Sequence, residues 1–144
     1  MLTKRSSKPL TKRSGVTILE VLVVLSIIAL ISAVVGPRLV GYLGRAKSDT
    51  AELQIKNLGA ALQLFYIDTG RYPAAAEGLA VLMQAPAGEI SWNGPYLDNA
   101  GALADPWGRD YLYEPPKTGT AFKVSSLGRD GTPGGGGEDR DLSH

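Results

Sequence analysis

The chain opens on basic and polar residues and then changes abruptly. From Val16 to Val35 it reads VTILEVLVVLSIIALISAVV, apolar at nearly every position. That is about the 20 residues a helix needs to cross the hydrocarbon of a bilayer. Glu20 is the one charge in the run, and Thr17, Ser26 and Ser32 are small hydroxyls able to bond back to helix carbonyls. Gly36-Pro37, a helix-perturbing pair, follows it. A second periodic stretch then begins, with Leu39, Leu43, Ala46, Thr50, Leu53, Leu58, Leu62 and Phe65 at steps of mostly three or four. Such spacing predicts one apolar face of a helix. Arg38, Arg45, Lys47, Asp49, Glu52 and Lys56 lie between those positions and suit a wet face. A helix from about 17 to 67 would run roughly 75 Å, its regularity weakened at Gly41, Gly44 and Gly59. Its amphipathic half needs a cover, which the C-terminal region must supply.

The periodic pattern stops at Ile67-Asp68-Thr69-Gly70, where glycine suits a left-handed cap. A short helical piece is expected from about Ala75 to Gln84, followed by turns at Gly94-Pro95-Tyr96-Leu97 and Asp105-Pro106-Trp107-Gly108. Tyr111-Leu112-Tyr113 and Ala121-Phe122-Lys123-Val124 read as a hairpin around Pro115-Pro116-Lys117-Thr118-Gly119. A few short strands cannot stand alone. The expected class is therefore α+β: a long N-terminal helix, its first half transmembrane, packed against a small C-terminal antiparallel sheet with loops. Tyr72, Tyr96 and Trp107 are read as core residues and not as a binding platform.

Composition removes several chemistries. The 144 residues contain no cysteine, and the single histidine is His144, so disulfides, thiolate metal sites and histidine-based triads are out of reach. Asp105 and Asp110 are the one acid pair that a membrane-anchored hydrolase could use, and the sequence supplies neither nucleophile nor base beside them. The net charge of +1 is uneven. Lys4, Arg5, Lys8, Lys12 and Arg13 precede the apolar run with no acid among them, and without these five the balance is 10 basic against 14 acidic residues. A basic head on an acidic body is not the pattern of a nucleic-acid binder. By the positive-inside rule the N-terminus stays in the cytoplasm and residues beyond about 36 are exported. A cleaved signal peptide has a shorter apolar core and a small-residue cleavage site. A plain signal anchor fits length and orientation but leaves Glu20 unexplained, and a carboxylate at that depth calls for a partner.

Ser14-Gly15-Val16-Thr17-Ile18-Leu19-Glu20 resembles the class III signal of type IV pilins and type II secretion pseudopilins. The resemblance implies that a prepilin peptidase cuts between Gly15 and Val16 and that the new amine is N-methylated. Relatives usually carry phenylalanine where this chain has Val16. Residues 1–15 are then a leader, 16–36 a transmembrane assembly helix and 37–144 a periplasmic pilin-like domain. The amine of Val16 gives Glu20 its partner, best supplied by a neighbouring subunit in a filament. Further on, Tyr66-Ile67-Asp68-Thr69-Gly70-Arg71-Tyr72-Pro73, Glu77-Gly78-Leu79, Gly94-Pro95-Tyr96, Asp105-Pro106-Trp107-Gly108 and Ser126-Leu127-Gly128-Arg129-Asp130-Gly131 occur in order. That string is similar to the general secretion protein G family, the major pseudopilins of type II secretion. The implied protein is no enzyme. It is a single-pass inner-membrane subunit that assembles with its own copies into a short periplasmic filament and drives folded proteins across the outer membrane. Its implied partners are the peptidase, minor pseudopilins and the inner-membrane assembly platform. A type IV pilin for adhesion or motility is the alternative; many of those close a C-terminal loop with a disulfide.

Residues 126–141 read SLGRDGTPGGGGEDRD, with Asp130, Glu138, Asp139 and Asp141 in a glycine-rich stretch. Composition fits a polar tail, and it equally fits a hard-cation loop of the kind that binds calcium through carboxylates and carbonyls. The spacing is not that of an EF-hand. The resemblance implies a structural Ca2+ held by the Leu127 carbonyl, Asp130, Asp139 and Asp141, with Glu138 as a weaker candidate, and a melting temperature that falls on chelation.

Overall fold

A computed structural model describes residues 15–144. The leader expected at 1–15 lies outside them apart from Gly15. The chain divides into two compact units, one through Leu39 and the other Val40–His144.

In the first unit Thr17 starts helix α1, Ile18–Thr69, by accepting the Glu20 N–H on its side-chain hydroxyl at 3.2 Å. Ser26 donates its hydroxyl back to the Leu22 carbonyl at 2.8 Å. This is the one helix among the described residues long and apolar enough to cross a membrane. Its apolar side chains from Val16 to Val35 are uncovered, as expected of a surface meant for lipid or for other helices. Gly36-Pro37 does not end the helix: Pro37 lies inside α1, at the cost of the hydrogen bond its missing N–H would give the Ala33 carbonyl.

In the second unit α1 turns a face of Ala51, Ile55, Leu58, Ala61, Leu62 and Phe65 into the core. This corrects the face drawn from the sequence. Leu58, Leu62 and Phe65 belong to it, but Leu43, Ala46, Thr50 and Leu53 are exposed. The step of five from Leu53 to Leu58 crosses from one side of the helix to another. Gly44 and Gly59 mark close approaches: a Cβ on Gly44 would stand 2.6 Å from Glu138 Oε2, and one on Gly59 2.9 Å from the His144 ring. The helix ends where expected, at Gly70 with φ +74°, whose N–H donates to the Tyr66 carbonyl at 2.8 Å.

The expected helix from Ala75 to Gln84 is a 3-10 turn over Gly78–Leu82. The turn before it is closed by Glu77, which accepts the Ala74 N–H at 2.6 Å and pairs with Arg71 at 2.7 Å. Arg71 holds the Glu77 carboxyl below the usual carboxylate range. The hairpin forms from β1, Leu112–Glu114, and β2, Lys123–Ser126, antiparallel with Tyr113 opposite Val124. A third strand, β3 over Leu142–Ser143, pairs with the other edge of β2, where the sequence pattern predicts none. Val124 and Leu142 carry the sheet's apolar side to the helix core, joined by Leu79, Val81, Leu82 and Tyr111. Tyr72, Tyr96 and Trp107, expected as core residues, are half-buried and pack against the core from outside. Tyr72 stacks on Tyr66 with ring centroids 4.7 Å apart, and Tyr96 meets Phe65 edge-on at 6.0 Å. Tyr113 donates its hydroxyl to the Pro73 carbonyl at 3.0 Å, and burial pushes its pKa up to about 12.

Candidate functional site

Two sites were expected, one in each unit. At the N-terminal one Gly15 and Val16 precede the helix in exposed chain without regular structure, and Glu20 sits in the first turn of α1. Glu20 is exposed and four residues beyond Val16, so its carboxylate belongs to the uncovered apolar surface and not to any core. An exposed peptide bond at Gly15-Val16 is open to a protease. An exposed carboxylate among bare aliphatic side chains is open to a cation brought by another molecule.

The C-terminal site is built around Asp105, at the start of the tight turn Asp-Pro-Trp-Gly. Its Oδ1 accepts the backbone N–H groups of Trp107 at 3.1 Å and Arg109 at 2.9 Å. Its Oδ2 accepts the hydroxyl of Ser126, the last residue of β2, at 2.6 Å. Asp105 is 6% exposed and Ser126 2%, so this is a buried and fully satisfied carboxylate. That accounts for Asp105 without catalysis. Ser126 in turn accepts the Gly128 N–H at 3.2 Å. Arg109 reaches back and donates to the carbonyls of Gly128 and Arg129, each at 2.7 Å. Trp107 donates its indole N–H to Glu138 Oε1 at 3.0 Å. The turn therefore grips both ends of the acidic loop.

The loop also grips itself. Arg129 sets its guanidinium across Asp139, with Nε 2.7 Å from Oδ1 and Nη2 2.8 Å from Oδ2, and stands 3.4 Å from Glu138. The Arg129 N–H donates to the Glu138 carbonyl at 2.9 Å. Gly128, at φ +67°, lies so close to this strand of chain that a Cβ would meet the Glu138 and Arg140 carbonyls at 2.9 and 2.8 Å. Asp130 accepts both the N–H and the hydroxyl of Thr132, which hold its carboxyl below the usual range. Asp141 accepts the Gly134 N–H at 3.0 Å.

The four ligands expected for calcium are thus in one loop, but they do not converge. Their chemistry, carboxylate and carbonyl oxygen, suits a hard cation. Among the described residues, however, no three acidic or histidine side chains are grouped to hold a metal. As arranged, the residues do not fit the ion, because Arg129, Thr132 and Gly134 each take a carboxylate for themselves. Arg109 and Arg129, which join the acids in holding this loop, carry no such chemical signature in the sequence. The Asp-Pro-Trp-Gly turn carried a local signal for Asp105, whereas the partners of Arg109 and Trp107 lie 19 to 31 residues away, and no short motif announces them.

Comparison with known proteins bears on the whole chain. Residues 38–144 match the family model described as type II secretion system protein G, and residues 10–36 match the prokaryotic N-terminal methylation motif. The chain is 36% identical over 132 residues to the type II secretion system core protein G of Xanthomonas campestris pv. campestris, covering 92% of this chain and 90% of that one. It is 35% identical over 137 residues to the core protein G of Pseudomonas aeruginosa, covering 92% and 95%. Among solved structures it resembles the major pseudopilin of the type 2 secretion system of enterohaemorrhagic Escherichia coli, with a TM-score of 0.57 and 25% identity over 72% of this chain and 87% of that one. With a domain-length match to the family model and curated relatives above 30% identity along nearly its full length, this chain belongs to the type II secretion system protein G family.

Proposed function

We propose that the chain is the major structural subunit of a type II secretion pseudopilus. It is made with a cytoplasmic basic leader, held in the inner membrane by α1, cut between Gly15 and Val16, methylated on the Val16 amine and then polymerised with its domain in the periplasm. Growth of the polymer pushes folded proteins through the outer membrane, assisted by the peptidase, minor pseudopilins and an assembly platform. One observation carries the reading: the apolar segment is bare along its length, and its one carboxylate, Glu20, lies a single turn after Val16, within the stretch that matches the N-terminal methylation motif.

The physical logic is that of a buried ion pair formed between copies. A carboxylate in hydrocarbon is costly alone, and so is an ammonium. When neighbouring helices pack, each solves the other's problem, and removing one partner costs about 3–5 kcal/mol by stranding the other. The carboxylate thereby selects cleaved subunits, because only they carry a charged amine at Val16.

Mass spectrometry of the protein isolated from cells tests this directly. The expected N-terminal residue is Val16 bearing one methyl group. Glu20→Ala is expected to be cleaved normally and to fail in assembly. A chain that still starts at Met1, one that starts beyond Val35, or a Glu20→Ala protein that polymerises like the parent overturns the proposal.

A further inference from the structure

Cations follow the apolar run where the topology rule would place few. Between Val35 and Asp49 lie Arg38, Arg45 and Lys47, with no acid among them. Cations close to a membrane span belong by preference on its cytoplasmic side, so these three oppose the signal of the basic leader. Their place on the exported side asks for an anionic partner there. In the second unit the first turns of the helix are bare: Val40, Tyr42 and Leu43 are 64%, 63% and 66% exposed, and Arg45 and Lys47 are exposed as well. Asp49 lies one turn beyond Arg45, yet among the described residues no carboxylate pairs with this arginine. Its guanidinium lies instead over the Tyr42 ring, 4.7 Å from the centroid. The side chain is thereby bent toward the helix N-terminus. A stacked guanidinium keeps the edge of its fork, where the N–H donors lie, open to a further partner.

We propose that Tyr42 and Arg45, helped by the charge of Lys47, bind the phosphate of an anionic phospholipid in the outer leaflet of the membrane that holds the subunit. The inference rests on the reading of α1 as a membrane anchor whose later part is exported, and adds the lipid it takes. Tyr42 is the seventh residue after Val35, a helical rise of about 10 Å against a headgroup layer about 5–7 Å deep. Helical side chains lean toward the N-terminus, which brings the phenol ring and the guanidinium back to the level of the phosphates. Tyrosine is a ring that membrane interfaces favour, and arginine takes a phosphate through two parallel N–H···O bonds. Lys47 points to the other side of the helix, so it adds attraction without joining the stack. Each cation at an anionic surface strengthens binding about fivefold. A zwitterionic lipid carries its own ammonium beside the phosphate and is the weaker ligand. The contact belongs to the unassembled subunit and is given up when the subunit leaves the bilayer for the filament.

The chain has no cysteine, and a Cβ on Gly41 meets nothing within 4 Å, so Gly41→Cys gives a single labelling point beside the site. Full-length Gly41→Cys protein carrying a fluorophore is placed in vesicles of equimolar phosphatidylcholine and phosphatidylglycerol. A nitroxide sits on the upper acyl chain of one lipid or the other. It quenches only at near contact, so lipids gathered by the basic leader, across a hydrocarbon core of about 30 Å, do not contribute. The phosphatidylglycerol nitroxide is expected to quench at least about twofold more than the phosphatidylcholine one. In the same background Arg45→Gln/Lys47→Gln is expected to bring the ratio to unity and Tyr42→Leu to lower it, whereas Tyr42→Phe keeps the ring and the ratio. These side chains are exposed, so the variants should melt like the parent, which keeps lost binding apart from lost folding. Sodium phosphate is expected to act on the ratio no more than sodium chloride of the same ionic strength. A collapse in phosphate alone means a site for the free anion and overturns the lipid assignment. Equal quenching by the two lipids in the parent, or an undiminished ratio in Arg45→Gln/Lys47→Gln, overturns the inference and leaves the anchor reading standing. If neither lipid quenches, position 41 is away from the bilayer surface and the anchor reading itself has failed.

Discussion

Replacing Asp105 by alanine should nearly unfold the second unit. The side chain accepts three hydrogen bonds, two from backbone N–H groups and one from Ser126, at 2.6 to 3.1 Å in a site closed to water. Hydrogen bonds to an ionised group are each worth about 1.5–3 kcal/mol, and a buried donor left without a partner costs about 1–3 kcal/mol. The three share one side chain and do not add fully. An overall loss of about 3–5 kcal/mol follows, a large part of the 5–15 kcal/mol that holds a typical domain together. For a unit of this size that is a fall of roughly 15–30 °C in melting temperature. Asp105→Asn keeps one oxygen for the two N–H groups and loses the acceptor for Ser126, so it should cost only about 1–2 kcal/mol. The assay is thermal and urea denaturation of Val40–His144 followed by circular dichroism, with Asp105→Ala/Ser126→Ala closing a double-mutant cycle. If the alanine variant melts within about 3 °C of the parent, corresponding to well under 1 kcal/mol, the turn does not hold the loop and the network has been misread.

Leu58→Ala should cost about 2–5 kcal/mol, because the side chain is buried and leaves a cavity. Leu53→Ala, on the exposed side of the helix, should stay within about 0.5 kcal/mol; equal costs in urea titrations would mean that the two faces are misassigned. Arg129→Ala frees Asp139 and Glu138 and should lower the melting temperature in calcium and in EGTA alike. If instead EGTA lowers the parent's melting temperature as much as this substitution does, a metal closes the loop and not the guanidinium. Tyr113 should remain protonated in the folded unit at a pH where free tyrosine ionises, near 10, because burial lifts it to about 12. Its contribution to stability is complete below pH 10 and is lost as the pH rises to 12. Absorbance of tyrosinate against pH, compared with Tyr113→Phe, measures it, and a group that titrates near 10 in the folded unit contradicts the assignment.

Strong local signals were legible in the sequence. Twenty apolar residues, a step pattern of three and four, and a glycine at position 70 located one long helix and its end. The strands around Pro115-Pro116 were legible because alternation and a turn coincide. The buried face of the helix was legible from Leu58 onward and not before it, since apolar residues occupy two opposite sides and periodicity alone does not say which side its own domain covers. A two-residue strand such as β3 carries no periodic signal at all. In the acidic loop the carboxylates stood out as a group because like residues cluster in sequence. Their partners are Arg129, the N–H and hydroxyl of Thr132, the Gly134 N–H and the distant Trp107 indole, which composition does not single out.

The exposed apolar side chains of Leu43, Leu53, Leu64 and Ile67 on α1 travel with any soluble fragment that contains them. Such a fragment is a solute with a built-in tendency to stick to itself, and self-association that favours the folded form raises apparent stability with concentration. Melting curves of the unit should therefore drift upward on concentration and level off on dilution. Comparisons among variants are sound only in the dilute plateau, where each molecule unfolds by itself.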